Sequence, residues 1–137
     1  YSGAPPLPSG GSVINVSPGT YFYDGDTDSL DWNGATVNFN TGGGPITIVL
    51  DNSSNSDQFE VSNAVFKVNG KNPVKIYRGD INNDNSLGFD NVTFDVINNR
   101  TDLFQMFVAP ADGNTGPKLD VRGGSLIYGV IYAPNND

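Results

Sequence analysis

The 137-residue sequence contains neither cysteine nor histidine. Without cysteine there is no disulfide framework and no thiolate metal site. Without histidine, the usual general base, the Ser-His-Asp triad and the commonest transition-metal ligand are excluded together. Positive charge is scarce as well: seven Lys and Arg face fifteen Asp and Glu, for a net charge of −8. Nucleic-acid binding needs a basic surface to meet phosphates, so that partner class is set aside, and an anionic membrane would be repelled. The longest apolar stretches, Ile46 to Leu50 and Leu126 to Ala133 with Gly129 inside it, are too short to cross a bilayer. No signal-peptide pattern is present. The chain opens at Tyr1, and it is read as a domain of something larger.

Helix signals are nearly absent. Gly, Pro, Asn and Asp punctuate the chain every few residues, and the apolar positions alternate with a period of two, as in strands. A longer period overlies this alternation. Four segments share the order apolar-x-apolar-x-turn-small-x-apolar-x-apolar: Leu30 to Phe39, Phe59 to Val68, Leu87 to Val96 and Leu119 to Tyr128. The turn position holds Gly34, Asn63, Asn91 and Gly123, the residue types that accept a left-handed backbone at least cost. A second apolar run follows in three units, at Ile46–Leu50, Val74–Tyr77 and Leu103–Val108.

A repeat of about 30 residues is too long for hairpins, whose turns recur every 8–12 residues or so. It suits one coil of a solenoid whose backbone pairs in parallel with the next coil at about 4.8 Å. The expected fold is therefore all-β: a short right-handed parallel β-helix of about four coils, the hand following from the rule for parallel crossovers. Its inward ladders are Leu30/Phe59/Leu87/Leu119, Trp32/Val61/Phe89/Val121 and Val37/Phe66/Phe94/Leu126. Residues 1–11, rich in Pro, Gly and Ser, read as a linker or N-terminal cap, and residues 12–137 as the solenoid domain. Within it, Val13–Val16 and Thr20–Tyr23 read as an incomplete starting coil.

Several short stretches also carry a resemblance. Ser-Pro-Gly-Thr-Tyr-Phe (17–22), Gly-Pro-Ile-Thr-Ile (44–48), Pro-Val-Lys-Ile-Tyr (73–77) and Gly-Val-Ile-Tyr-Ala-Pro-Asn (129–135) resemble the β-solenoid domain of type IV pilus-assembly proteins and large minor pilins. The resemblance implies a non-catalytic extracellular module whose partners are other pilus or surface-protein subunits. It brings no catalytic residues with it. The hydrophobic helix of a pilin is not among these 137 residues.

Chemistry-bearing candidates are the acidic corners. Asp24, Asp26 and Asp28 precede the first repeat, and Asp80, Asn82 and Asp84 precede the third; each set alternates oxygen ligands like the first half of a calcium loop. Neither is a complete loop, since the twelfth positions are Ala35 and Asn91. A second geometry stacks Asp28 on Asp57 one coil apart, where a cation would relieve their repulsion. The acidic corners are thus either a calcium site or a solvated rim. Arg78-Gly79-Asp80 matches a cell-adhesion tripeptide, and Asn52, Asn91 and Asn99 head sequons; both patterns are short enough to recur by chance. A polysaccharide lyase would need a basic cluster beside calcium ligands, and Lys67, Lys75 and Arg78 are scattered. An ice-binding face would need flat rows of Thr, and the row Asn38/Lys67/Asp95 carries charge.

The expected function is that of a structural or binding module on the bacterial surface, not an enzyme. The insertions 52–58, 97–102 and 110–118 are where recognition of glycans or a host surface would sit. A calcium-dependent carbohydrate-binding or adhesion domain is the main alternative, and a polysaccharide-acting enzyme the lesser one.

Overall fold

The computed structural model describes residues 3–24, 30–51, 59–78, 87–108 and 119–132. Alternating apolar residues in short runs between Gly, Pro and Asn punctuation form twelve strands, and no α-helix occurs among the described residues. In chain order they are β1 (Val13–Val16), β2 (Gly19–Asp24), β3 (Thr36–Phe39), β4 (Ile46–Asp51), β5 (Phe59–Ser62) and β6 (Val65–Val68). Then follow β7 (Val74–Arg78), β8 (Leu87–Asp90), β9 (Thr93–Val96), β10 (Phe104–Val108), β11 (Leu119–Arg122) and β12 (Val130–Tyr132).

Successive coils return their strands to the same three faces. One sheet runs β1-β3-β6-β9, a second β2-β4-β7-β10-β12 and a third β5-β8-β11. Among the described residues all nine strand pairings are parallel. The molecule is a three-faced β-solenoid of about four coils, as the repeat requires. Leu30–Asn33 stands on the third face before β5 without forming a strand; Asn33 Oδ1 accepts from the Ser62 amide at 2.9 Å and from its hydroxyl at 3.1 Å.

The corner residues behave as their chemistry dictates. Gly34, Asn63, Asn91 and Gly123 have φ of +71°, +53°, +55° and +66°. At three of these corners the amide is used by the next coil: Gly34 N–H donates to Ser62, Asn63 N–H to Asp90 and Asn91 N–H to Arg122. The left-handed residue turns the chain through the corner, and the small residue behind it, Ala35, Ala64 or Val92, is buried.

Alternation sends one side-chain set inward from all three faces. Val37, Phe66 and Phe94 are in register on the first face, Ile48, Ile76 and Met106 on the second, and Val61 and Phe89 on the third. At their meeting point is an aromatic cluster. The ring of Phe66 lies 5.7 Å from Trp32, 5.5 Å from Phe39, 6.0 Å from Phe89 and 5.3 Å from Phe94, centroid to centroid. Each such pair contributes about 0.5–1.5 kcal/mol beyond simple burial.

One ladder departs from the sequence-based expectation. Leu126 is not the fourth inward member after Phe94. It pairs with Thr93, with Leu126 N–H donating to Val92 at 3.0 Å and Phe94 N–H to Leu126 at 2.9 Å. The cause is the double glycine. Gly123 and Gly124 are both left-handed, at φ +66° and +76°, so this corner takes one more residue than the Asn corners and the parity slips by one. Leu126 therefore joins the outward row in place of Ser125 and is 50 % exposed, while Ile127 packs on the core.

The two ends of the stack differ. At the N-terminal end, Pro6 bridges to Phe22, the indole N–H of Trp32 donates to Pro8 O at 2.7 Å, and Gly10 N–H donates to Asp31 O at 3.2 Å. Leu7 is buried beneath this segment. The C-terminal coil instead leaves apolar side chains in solvent, described next.

Candidate functional site

On the third face Val121 takes the register of buried Val61 and Phe89, yet it is exposed. On the second, Ile131 continues the Ile48/Ile76/Met106 row and is likewise at the surface. Around them Leu126 and Val130 are each 50 % exposed and Tyr132 60 %. Five apolar side chains thus mark one end of the stack, and three share the short strand β12. Its outer backbone edge continues the parallel pattern without a further described strand. Val121 and Ile131 are thus in register for a further strand layer, and a strand edge is where such a layer can pair.

The second face also carries an outward row that the repeat alone did not reveal: Phe22, Val49, Tyr77, Phe107 and Tyr132, in consecutive register. The rings of Tyr77 and Phe107 stack at 4.9 Å with an 11° tilt. Stacked this way they cover one another's faces, so the row presents ring edges to solvent and is not a platform for a flat ligand. Its sequence signal was parity: Tyr77, Phe107 and Tyr132 each sit one place from an inward residue.

The acidic candidates fall almost wholly outside the described residues. Asp26, Asp28, Asp57, Asp80, Asn82 and Asp84 lie there, and Asp24 is described only as the backbone end of β2. Among the described residues no group of three His, Cys, Asp or Glu is placed to hold a metal. Of the insertions, only 97–102 is described; it forms two short 3-10 turns over Ile97–Asn99 and Thr101–Leu103. Asn98 and Asn99 are left-handed there, and Arg100 Nε donates to Asp102 Oδ1 at 3.0 Å. That bond and the adjacent charge hold the Asp102 carboxyl below the usual carboxylate range.

The adhesion tripeptide has a plain structural outcome at its first residue. Arg78 is inward-facing, in register with Leu50 and Val108, and only 3 % exposed. Burial disfavours its charged form and lowers its pKa to about 10. A guanidinium held in the interior does not present an adhesion motif to a receptor.

Residues 7–137 match a known family. The chain belongs to the DUF7305 family, a domain of unknown function. The matched span takes in both the N-terminal segment around Leu7 and the exposed end coil, so the DUF7305 domain includes the whole described stack. No curated protein and no solved structure matches it. No helix among the described residues of this DUF7305 domain is long and apolar enough to cross a membrane.

Proposed function

We propose that the domain is a non-catalytic structural and binding module of a bacterial surface appendage, working extracellularly within a pilus or adhesin-like assembly. The observation that carries this reading is the asymmetry of the stack. Its N-terminal end is covered by residues 5–10, whereas Val121, Leu126, Val130, Ile131 and Tyr132 crowd the other end in solvent. The partner fitting that end is another subunit of the same appendage, one that supplies a strand edge and apolar side chains to continue the rows. Two ends that differ in this way give a directional contact, as an elongated assembly requires. The acidic surface and the Gly-Val-Ile-Tyr-Ala-Pro-Asn resemblance support the same reading, as does the lack of basic residues for a nucleic-acid partner. Contacts with glycans or a host surface belong to the sides of the stack.

The test is made on the producing cell. Appendages sheared from the surface are expected to carry the domain, and a Leu126→Glu/Val130→Glu variant with an unchanged β-sheet circular dichroism spectrum is expected to be lost from them. Recovery of the wild-type protein only in the cytoplasmic fraction, or unchanged association of the charged variant, would refute the proposal.

A further inference from the structure

The third face holds a shallow cleft that neither the repeat nor the exposed end explains. Its outward rows include Glu60/Gly88 and Ser62/Asp90/Arg122. Gly88 lies inside β8, where glycine weakens a strand and commonly marks close approach of another molecule. Its backbone gives no reason for the choice: its φ is not left-handed. What the missing side chain provides is space, since a Cβ there would lie 3.1 Å from Glu60 Cγ. The depression so formed is lined by Asn33, Glu60, Ser62, Asp90 and Arg122 above the buried Val61. Glu60 and Arg122 reach towards each other from strands two coils apart, and their heads stand 4.0 Å from one another. At that separation and exposure the ion pair contributes little to stability, so a ligand separates it at small cost.

We infer that this cleft is a saccharide-binding subsite, taking a hydroxyl-rich neutral sugar ring. The lining excludes the other common ligand classes. Two carboxylates in an acidic protein repel phosphates and acidic peptides. No apolar side chain is exposed in the cleft to anchor a hydrophobic peptide, and the amides of β8 are committed to β5 and β11. What remains is a set of planar carboxylate, amide and guanidinium groups. The carboxylates and the guanidinium can each take two adjacent hydroxyls through paired hydrogen bonds, the former as acceptors and the latter as donor, while Asn33 Oδ1 is engaged by Ser62. The rows repeat at the rung spacing of about 4.8 Å, which is comparable to the length of one sugar ring. A chain of sugars laid along the stack would therefore meet Ser62, Asp90 and Arg122 in turn, one polar group per rung. With no aromatic face in the cleft, affinity is weak, in the millimolar range.

The experiment uses maltohexaose, mannohexaose and the hexamer of N-acetylglucosamine as probes, with amide chemical-shift mapping of the whole 137-residue chain. At millimolar concentration at least one probe is expected to shift the Ser62, Gly88 and Asp90 amides saturably. Arg122→Gln and Glu60→Gln, both at exposed positions, are each expected to weaken that binding about tenfold, the worth of a lost charge-assisted hydrogen bond. Gly88→Val, which keeps a strand-forming residue but fills the space, is expected to abolish it. The inference is overturned if none of the three probes shifts these amides, if the shifts fall on another face, or if the glutamine variants bind unchanged. Loss from surface appendages is a separate readout, so failure here leaves the end-coil proposal standing and the reverse holds too.

Discussion

The carboxamide of Asn91 donates from Nδ2 to Oδ1 of Asn63 at 2.8 Å, joining two corners of the stack that are both left-handed. Each Asn thus has two roles, a backbone one and a side-chain one, and substitution separates them. Asn63→Gly keeps the backbone geometry and loses only an exposed hydrogen bond, so a loss of about 1 kcal/mol or less is expected. Asn63→Val cannot adopt that backbone without strain, and a loss of about 2 kcal/mol or more is expected. Urea unfolding midpoints with unchanged slopes distinguish the two; equal losses would contradict a backbone requirement at the corner.

Phe66 sits where the rings from all three faces meet, and it is fully buried. Phe66→Ala removes these contacts and leaves a cavity that the crowded neighbours cannot fill, so a loss of about 3–5 kcal/mol is expected. Phe107→Ala, on the outward row, loses chiefly its stacking on Tyr77 and should cost no more than about 1.5 kcal/mol. Denaturant titration of the pair tests whether the interior rather than the outer ladder holds the coils together.

Gly70 and Gly42 make a matched contrast. A Cβ on Gly70 would lie 2.7 Å from Thr41 Oγ1 and closer still to the peptide joining Thr41 and Gly42, one coil below. Backbone cannot yield as a flexible side chain does, so Gly70→Ala is expected to cost about 1–3 kcal/mol. At Gly42 the same methyl group meets nothing within 4 Å and φ is not left-handed. Gly42→Ala should therefore be neutral or stabilising by up to about 1 kcal/mol. Thermal midpoints give the comparison directly.

At the described insertion, Arg100 holds the Asp102 carboxyl below its ordinary range. Because the folded-state value is depressed, the pair's contribution is present above the unfolded carboxyl's pKa and is lost as pH falls through the folded one. Carboxyl NMR titration should find Asp102 among the most acidic aspartates, and Arg100→Gln should return it to the usual range. An unchanged titration in that variant would show that the ion pair does not form in solution.

Much of the fold was legible because the repeat states the same instruction several times. Asn63 and Asn91 could be matched as corners since each stands between two alternating apolar runs, and both are left-handed as that placement demands. Leu126 was misplaced because counting assumed that every corner consumes the same number of residues. Two adjacent glycines can both be left-handed, and the second one shifted the parity. The proposed docking end was less legible for a related reason. Periodicity marks Val121 and Ile131 as inward, yet both are exposed because no described coil follows them, which is a property of position in the stack. The Gly88 cleft had a faint signal, a glycine in the middle of an otherwise good strand. The acidic candidates from Asp24 to Asp84 lie outside the described side chains.

The central claim is that the C-terminal coil is the docking end. A photo-crosslinking amino acid placed at Tyr132, with a second placement at exposed Val13 as control, tests it most directly in the producing cell. The account predicts a discrete adduct with an appendage subunit from position 132 and none from position 13. Equal labelling from both positions, or no adduct from position 132, would contradict it.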